Sequence, residues 1–398
     1  MTRPFRVGIV GANRGGGYGR ALAALSDQAA VTAICDVNRD VLAGWQTAQP
    51  ELRRFGRFED LLDSGVCDAV MLATPMELHA QQAILALSAG HHVLSEVIAA
   101  CTIDDCWALV EAVESSGKIY MLAENYCYTR PAMMVRNLAE QGVFGDVSYG
   151  EGAYIHDCRP LMFDARLELT WRGRLGRTEP GNGYPTHSLG PVAQWLGCAG
   201  PGASDRLTAV VTLTTPSDAR SRYARELLGP ERPESARGFF RLGDSASTLL
   251  RTANGKVAYL RVDSASPRPH NMTHYVLQGA DAAFVAARHP AEDPLIWIRG
   301  RSPGSTIGDE AWESLWRYAE EYEHPRWRER GEIARRSGHG GGDFFVVEDF
   351  VRAVSEGSAP PIDVYDAVTW SSVFPLSVES VRTGGMPKPI PDFRNRQR

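Results

Sequence analysis

The chain has 398 residues, 43% hydrophobic and 23% charged, with a formal net charge of −6. Such a composition suits a globular protein of two domains. The mildly acidic balance argues against a nucleic-acid or membrane-surface partner, and no apolar stretch is long enough to span a bilayer.

The opening "MTRPFRVGIVG" enters a strand almost at once, leaving no room for a signal peptide, so a cytoplasmic location is expected. "FRVGIVG", "AVTAICDVN", "CDAVMLATP", "HHVLSEV" and "KIYMLAEN" read as buried parallel strands. Helical patterns such as "ANRGGGYGRALAAL", "HAQQAILALSAG" and "IDDCWALVEAVESSG" lie between them. This alternation predicts an α/β, doubly wound parallel sheet over residues 1–126.

The first strand runs into a Gly-rich turn with Gly11, Asn13 and Gly16 in the three places of a dinucleotide fingerprint, and Arg14 and Gly15 between them. Such a turn leaves helix N–H groups free to meet a pyrophosphate. Asp36, at the end of the second strand, suits the ribose hydroxyls and would repel a 2′-phosphate, so NAD is the expected cofactor. Ligands of such sheets lie beyond the carboxyl ends of the strands. Thr74, Met76, Leu78 and His79 are expected to line the nicotinamide-ribose side, and Glu96, Val97 and Asn125 the ribose or carboxamide.

Residues 127–398 change character. After the helix "RPAMMVRNLAEQGVFGDV", the segments "SYGEGAYIHDC", "RLTAVVTLTT", "SASTLLRTANGKVAYLRVDSAS" and "THYVLQGADAAFVA" alternate apolar with polar residues between turn signals. They predict an α+β domain with an open, mostly antiparallel sheet, whose outer face calls for a homo-oligomer. "SDARSRYARELLGPERPESARG" reads as an Arg-rich surface insertion. The helix "DFFVVEDFVRAVSEG" and a coil-rich tail follow. In "SGHGGGDF", Asp343 reads as a helix cap and His339 as reaching toward the pocket.

Seven cysteines (Cys35, Cys67, Cys101, Cys106, Cys127, Cys158 and Cys198), irregularly spaced and without a CxxC, fit reduced buried thiols and no metal site. Lys118, Lys256 and Lys388 are the only lysines, so ammonium acids are scarce. "GNGYPTHSLGPVAQWLG" sets Tyr184 and His187 three residues apart, which packing alone does not require. Tyr154 and His156 fall on one face of a predicted strand end.

The domain order resembles the Gfo/Idh/MocA oxidoreductases, with a Rossmann domain first. "ENYCY", "QGVFGDVSYGEGAYIHDCR", "TWR", "YPTHSLGPVAQWL", "SPRP", "GHGGGDF" and "DVYDA" resemble glycoside hydrolase family 109, the NAD-dependent α-N-acetylgalactosaminidase-like branch. Sugar dehydrogenases of this kind carry Glu-Lys-Pro where this chain has Glu96-Val97-Ile98, and His-x-x-Asp where it has Gly190. The resemblance implies a glycosidase acting on a hexoside, N-acetylated or not. Its C3 is oxidised to a ketone, C2 loses a proton, the C1 substituent leaves, water adds, and C3 is reduced again.

Tyr184, His187, Tyr154 and His156 are the expected proton-transfer groups in place of the missing Lys, with Glu124 polarising a neighbour. The C3 and C2 steps are assigned to His187 and Tyr184 without distinguishing them. The resemblance further implies substrate contacts from Tyr154, Arg172, Tyr184, Pro185, Thr186, His187 and His270. The alternatives are a plain NAD-dependent sugar dehydrogenase and a non-catalytic NAD- or sugar-binding protein.

Overall fold

The computed structural model describes residues 4–269, 271–304 and 308–396. Six parallel strands, β1 (Phe5–Val10), β2 (Ala29–Cys35), β3 (Arg53–Phe55), β4 (Ala69–Leu72), β5 (His92–Ser95) and β6 (Tyr120–Leu122), form the first sheet in the order β3-β2-β1-β4-β5-β6. The order reverses between β1 and β4, and a ligand crevice opens at such a switch point. Helices cover both faces, so β4 (AVML) is buried throughout. Thr102 caps the helix Ile103–Ser116 by accepting from Asp105 N at 3.0 Å, and left-handed Gly117 ends it.

The second sheet is mixed and mostly antiparallel. Its strands are β7 (Val147–Ile155), β8 (Leu207–Thr214), β9 (Ser245–Thr252), β10 (Val257–Asp263), β11 (Asn271–Gly279), β12 (Ala282–Val285), β13 (Leu295–Ile298), β14 (Glu313–Ser314) and β15 (Lys388–Pro389). They lie in the order β14-β13-β12-β11-β7-β10-β9-β8-β15, with β7 and β10 parallel. Burial alternates along β9: Ala246, Thr248 and Leu250 point inward, while Ser247, Leu249 and Arg251 face outward. The inner face packs on the helices Thr186–Trp195 and Val364–Arg382. Gly150 and Gly152 of β7 permit that contact. A Cβ at 152 would lie 1.8 Å from the carbonyl oxygen of Ser188.

Two sequence expectations need correction. Residues 217–238 are not a solvated insertion, because Asp218–Leu228 is a helix that buries Arg220, Ser221 and Ala224. Ala224 belongs to a cluster with Met162, Phe163 and Phe240. The tail is not all coil: Lys388–Pro389 pairs with β8, and Ile390 and Phe393 are buried. The long helix Val364–Arg382, unread in the sequence, is capped by Asp363, which accepts from Tyr365 N and Asp366 N at 3.0 Å.

All seven cysteines are free thiols. Burial pushes Cys35, Cys101 and Cys198 up to about 12, which makes them poor nucleophiles. Among the described residues, no group of His, Cys, Asp and Glu could hold a metal ion, and no helix is long and apolar enough to cross a membrane.

Candidate active site

A cleft of about 520 Å³ opens at the carboxyl ends of the first sheet. Gly11 sits at its head in the left-handed region, φ 80°, at the start of the helix Ala12–Ala23. A Cβ there would lie 2.5 Å from Ala73 O, so the β1 turn can touch the β4 turn only through glycine. Close packing of the helix on β1 falls to Gly15, whose Cβ would meet Ile9 Cγ2 at 2.3 Å. Gly16, the expected third glycine of the fingerprint, faces Trp45 at 3.4 Å. Gly11 offers this helix no side-chain cap and no acidic residue lies in its first turn, so its start is suited to an anion beyond the one N–H, that of Ala12, which Asp36 takes. Asp36 lines the cleft, its two oxygens held by Ala12 N at 2.9 Å and Asn38 N at 2.8 Å. A glycine cradle, a helix start and a strand-end carboxylate together fit a dinucleotide.

Arg14, Thr74, Met76, Leu78, Glu96 and Val97 also line the cleft, as does exposed Asn13. His79 sits in the wall but is 1% exposed, with Nδ1 2.8 Å from Ile98 O and Nε2 2.8 Å from Thr74 O. It clamps two strand-end loops together, and burial pushes its pKa down. Asn125 does not reach the cleft lining; its Nδ2 donates to Asp343 Oδ1 at 2.9 Å.

Under the cleft lies an ionic network that joins the two domains. Arg14 Nη2 is 2.7 Å from Glu96 Oε1 and 3.4 Å from Asp343 Oδ1. The buried Tyr18 hydroxyl donates to Glu96 Oε1 at 2.7 Å. His339 Nδ1 lies 3.1 Å from both oxygens of Asp343. Burial alone would raise the Asp343 carboxyl, but hydrogen bonds from His339 and Asn125 and the Arg14 charge hold it well below the usual range. Asp343, read from sequence as a cap, is therefore a tie between domains, and His339 is spent on it.

Above the network stands a cluster of rings. Gly183, Tyr184 and Pro185 lead into the helix Thr186–Trp195, whose first turn carries His187. His187 stacks 4.5 Å from Tyr126, 5.2 Å from Tyr184 and 5.5 Å from Tyr154, between ring centroids. Its Nδ1 lies 2.8 and 3.0 Å from the oxygens of fully buried Glu124. A carboxylate accepts only, so Nδ1 carries a proton, and in the tautomer that this fixes Nε2 is the nitrogen able to accept. Tyr184 lines the cleft and its hydroxyl donates to Val97 O at 3.5 Å. Burial, then the charge of Glu96, raises its pKa, so at neutral pH Tyr184 keeps its proton. The Tyr154 hydroxyl is 3.0 Å from His156 Nδ1 and 3.7 Å from Cys158 Sγ, and burial raises it as well.

The fold thus gathers Tyr184, His187, Tyr154, His156 and Glu124. Arg172 stacks on the Trp171 ring at 4.2 Å and lines the cleft. Pro185 and Thr186 are buried in the helix's first turn and do not line it. His270 lies outside the described residues. Sequence reasoning missed Tyr126, Trp171 and Arg220; the run of aromatic residues in "ENYCY" was the available signal for the first.

This sheet, cleft and network define an oxidoreductase-type protein with an NAD-binding Rossmann domain. The model of the "oxidoreductase family, NAD-binding Rossmann fold" matches residues 5–124. The model of the "glycosyl hydrolase 109, C-terminal domain" matches residues 128–397, and the chain belongs to glycosyl hydrolase family 109. It is 34% identical to a family 109 protein of Solibacter usitatus over 98% of this chain and 88% of that protein. It is 33% identical to one of Stenotrophomonas maltophilia over 92% of this chain and 84% of that protein. Among solved structures, levoglucosan dehydrogenase in complex with NADH and L-sorbose superposes with a TM-score of 0.75 at 20% identity, covering 98% of this chain and 100% of that one. The WlbA dehydrogenase of Bordetella pertussis, in complex with NADH and UDP-GlcNAcA, gives 0.70 at 20% identity, covering 98% and 99%. At that identity the likeness speaks for the fold.

Proposed function

We propose that the protein is a redox-neutral glycosidase acting on a hexoside, with Nε2 of His187 as the working base. The observation that carries this reading is the Glu124–His187 pair, at 2.8 Å, in the ring cluster beside the dinucleotide cleft. Bound NAD would supply a hydride acceptor for C3 of the sugar and give the hydride back at the end of the turnover.

The chain's own residues handle the protons. Glu124 holds Nδ1–H, so Nε2 faces the reacting group as a lone pair and the imidazolium that forms is paired at once. Tyr184, which keeps its proton, donates to the oxygen on C3 as that oxygen gains charge when the C2 proton leaves. His187, having released the C3 hydroxyl proton to solvent, takes that C2 proton on Nε2 and passes it to the C1 oxygen as the substituent is expelled. Water then adds across C1–C2, its hydroxyl to C1 and its proton to C2, and the C3 oxygen takes back a proton through His187 as the hydride returns to C3. With Val97 where sugar dehydrogenases have Lys, no ammonium competes for these roles. Tyr154 and Arg172 contribute to substrate binding. The open face of the second sheet, bearing Leu213 and Leu249, is covered in a homo-oligomer.

The test is release of nitrophenol from a panel of nitrophenyl hexosides, anomers and N-acetyl forms included, by purified protein without added NAD. The reading requires nitrophenol with no net NADH. NADH in step with sugar consumed would make the protein a dehydrogenase on the same cleft. No turnover, unchanged in His187→Ala, would make it a binding protein.

A further inference from the structure

The helix Asp218–Leu228 brings an arginine to a second, smaller space. Arg220 is 2% exposed. Its Nη2 donates to Ser264 Oγ at 2.7 Å and its Nε to Leu242 O at 3.2 Å, but among the described residues Nη1 meets only a thioether, Met162 Sδ, at 4.0 Å. The nearby carboxylate of Asp244 stands 4.0 Å from Nε, and its oxygens accept from Ala219 N and Arg220 N instead. Arg220 and Arg172 both line a cavity of about 40 Å³, to which no Asp or Glu contributes. Among the described residues Arg172 makes no ion pair with a carboxylate, and its guanidinium lies over the Trp171 ring. Tyr154 forms another wall, and Trp171, Arg172 and Tyr184 are shared with the dinucleotide cleft.

A buried guanidinium with an unspent N–H and no hydrogen-bonded anion is costly unless a ligand supplies one. The space of about 40 Å³ exceeds the roughly 10–15 Å³ that one water needs, so it admits a small polar group rather than a single water. Apolar Met162, Leu242 and Val262 complete the walls and would strengthen a charge-assisted hydrogen bond by excluding water.

We infer that this cavity is the subsite for a carboxylate carried by the sugar, held between Arg220 and Arg172, so that the substrate class is a uronic acid glycoside. The inference rests on reading the adjoining cleft as a sugar site, and it names the substituent that the sugar bears. A neutral acetamido group would satisfy Nη1 but place no anion between Arg172 and Arg220, since Asp244 flanks Arg220 only on its Nε side.

The experiment is calorimetric titration of the NAD-loaded protein with D-glucuronate and D-galacturonate, each against its uncharged amide. At least one acid should bind about tenfold or more tighter than its amide, as hydrogen bonds to charged groups predict. Arg220→Gln should erase that preference and Arg220→Lys should keep part of it, with melting temperature and circular dichroism confirming the fold. The inference is overturned if neither acid binds, if the amides bind equally well, if N-acetylhexosamines bind tighter than both, or if the preference survives in folded Arg220→Gln. Should that variant not fold, the acid-to-amide ratio of the unaltered protein and its loss in Arg172→Gln decide. Binding is read without turnover, so loss of the glycosidase reading in the nitrophenol assay would leave this result standing or falling alone.

Discussion

Gly190 makes the room that Glu124 occupies. A Cβ at position 190 would lie 2.7 Å from Glu124 Cγ and 2.9 Å from Cys127 Sγ. Where sugar dehydrogenases of this fold carry an Asp three residues after the His, this chain has an empty position, and the carboxylate on Nδ1 of His187 comes from the end of β6 in the other domain. Gly190→Asp should therefore not restore a dehydrogenase pattern. It overpacks a buried site, at a cost of about 1–3 kcal/mol, and displaces Glu124. We expect a lower melting temperature and loss of turnover. Glu124→Gln, which keeps the volume, should lower kcat by about 10–100-fold with little change in KM, as loss of an orienting partner does. A Gly190→Asp protein with full activity would break the argument.

His187→Asn and Tyr184→Phe separate the two proton roles. The first removes the base and should cost about 10²–10⁴-fold in kcat. The second removes a donor from a developing oxyanion and should cost about 10²–10³-fold. Both should retain NAD, since neither side chain holds the pyrophosphate end of the cleft. Comparing kcat with the stoichiometry of co-purified NAD checks this, and loss of cofactor in either variant would reassign that residue.

The parts legible in the sequence were those written in local chemistry. Gly11 and Asp36 stand at the ends of apolar runs, and Tyr184 and His187 are proton-carrying residues three apart at the head of an apolar run. Arg220 was hidden because its neighbours look solvated: Arg222 and Arg237 do pair with Glu226 and Asp218 on the surface. The helix Val364–Arg382 was hidden by Pro375 and by buried serines, which break the apolar periodicity. Those serines accept backbone N–H groups from elsewhere: Ser371 from Ala99, Ser377 from Asn182 and Ser380 from Thr212. Asp343 resembled a cap because its partners, Arg14 and Asn125, belong to the other domain.

Asp36→Ala should weaken NAD binding by removing the ribose acceptor and the tether on Ala12 N. The lost hydrogen bonds are to a charged group, so about 1.5–3 kcal/mol is expected, or more than tenfold in Kd. The same change removes the repulsion toward a 2′-phosphate, so the NADP-to-NAD affinity ratio should rise. Fluorescence titration with both reduced cofactors measures it; an unchanged ratio would mean that Asp36 does not face the ribose.

On the open face, Leu249 lies opposite Val211 on β8 and Tyr259 on β10, forming an apolar row across three strands. Leu249 is 48% exposed and Leu213 62%. If a second copy covers this face, Leu249→Asp should shift light-scattering mass toward the monomer without unfolding the chain. An unchanged mass would place the contact elsewhere or remove it.

Asp366 makes stability depend on pH in a definite direction. Burial, then the charge of Asp363, pushes its carboxyl up to about 8, against the amide of Gly200 at 2.8 Å and the Arg394 guanidinium at 3.4 Å. An unfolded Asp titrates near roughly 3.9. A folded pKa raised above that value means stability is fully present below it and is lost as pH rises through the folded value. Wild-type protein should therefore lose melting temperature steadily from about pH 5 to pH 8 through this group. Asp366→Asn cannot ionise. Its melting temperature should exceed that of wild type by a margin that is small at pH 5 and widens up to pH 8. A margin that stays constant over that range would mean that Asp366 is ionised in the folded protein throughout, with Arg394 outweighing its burial.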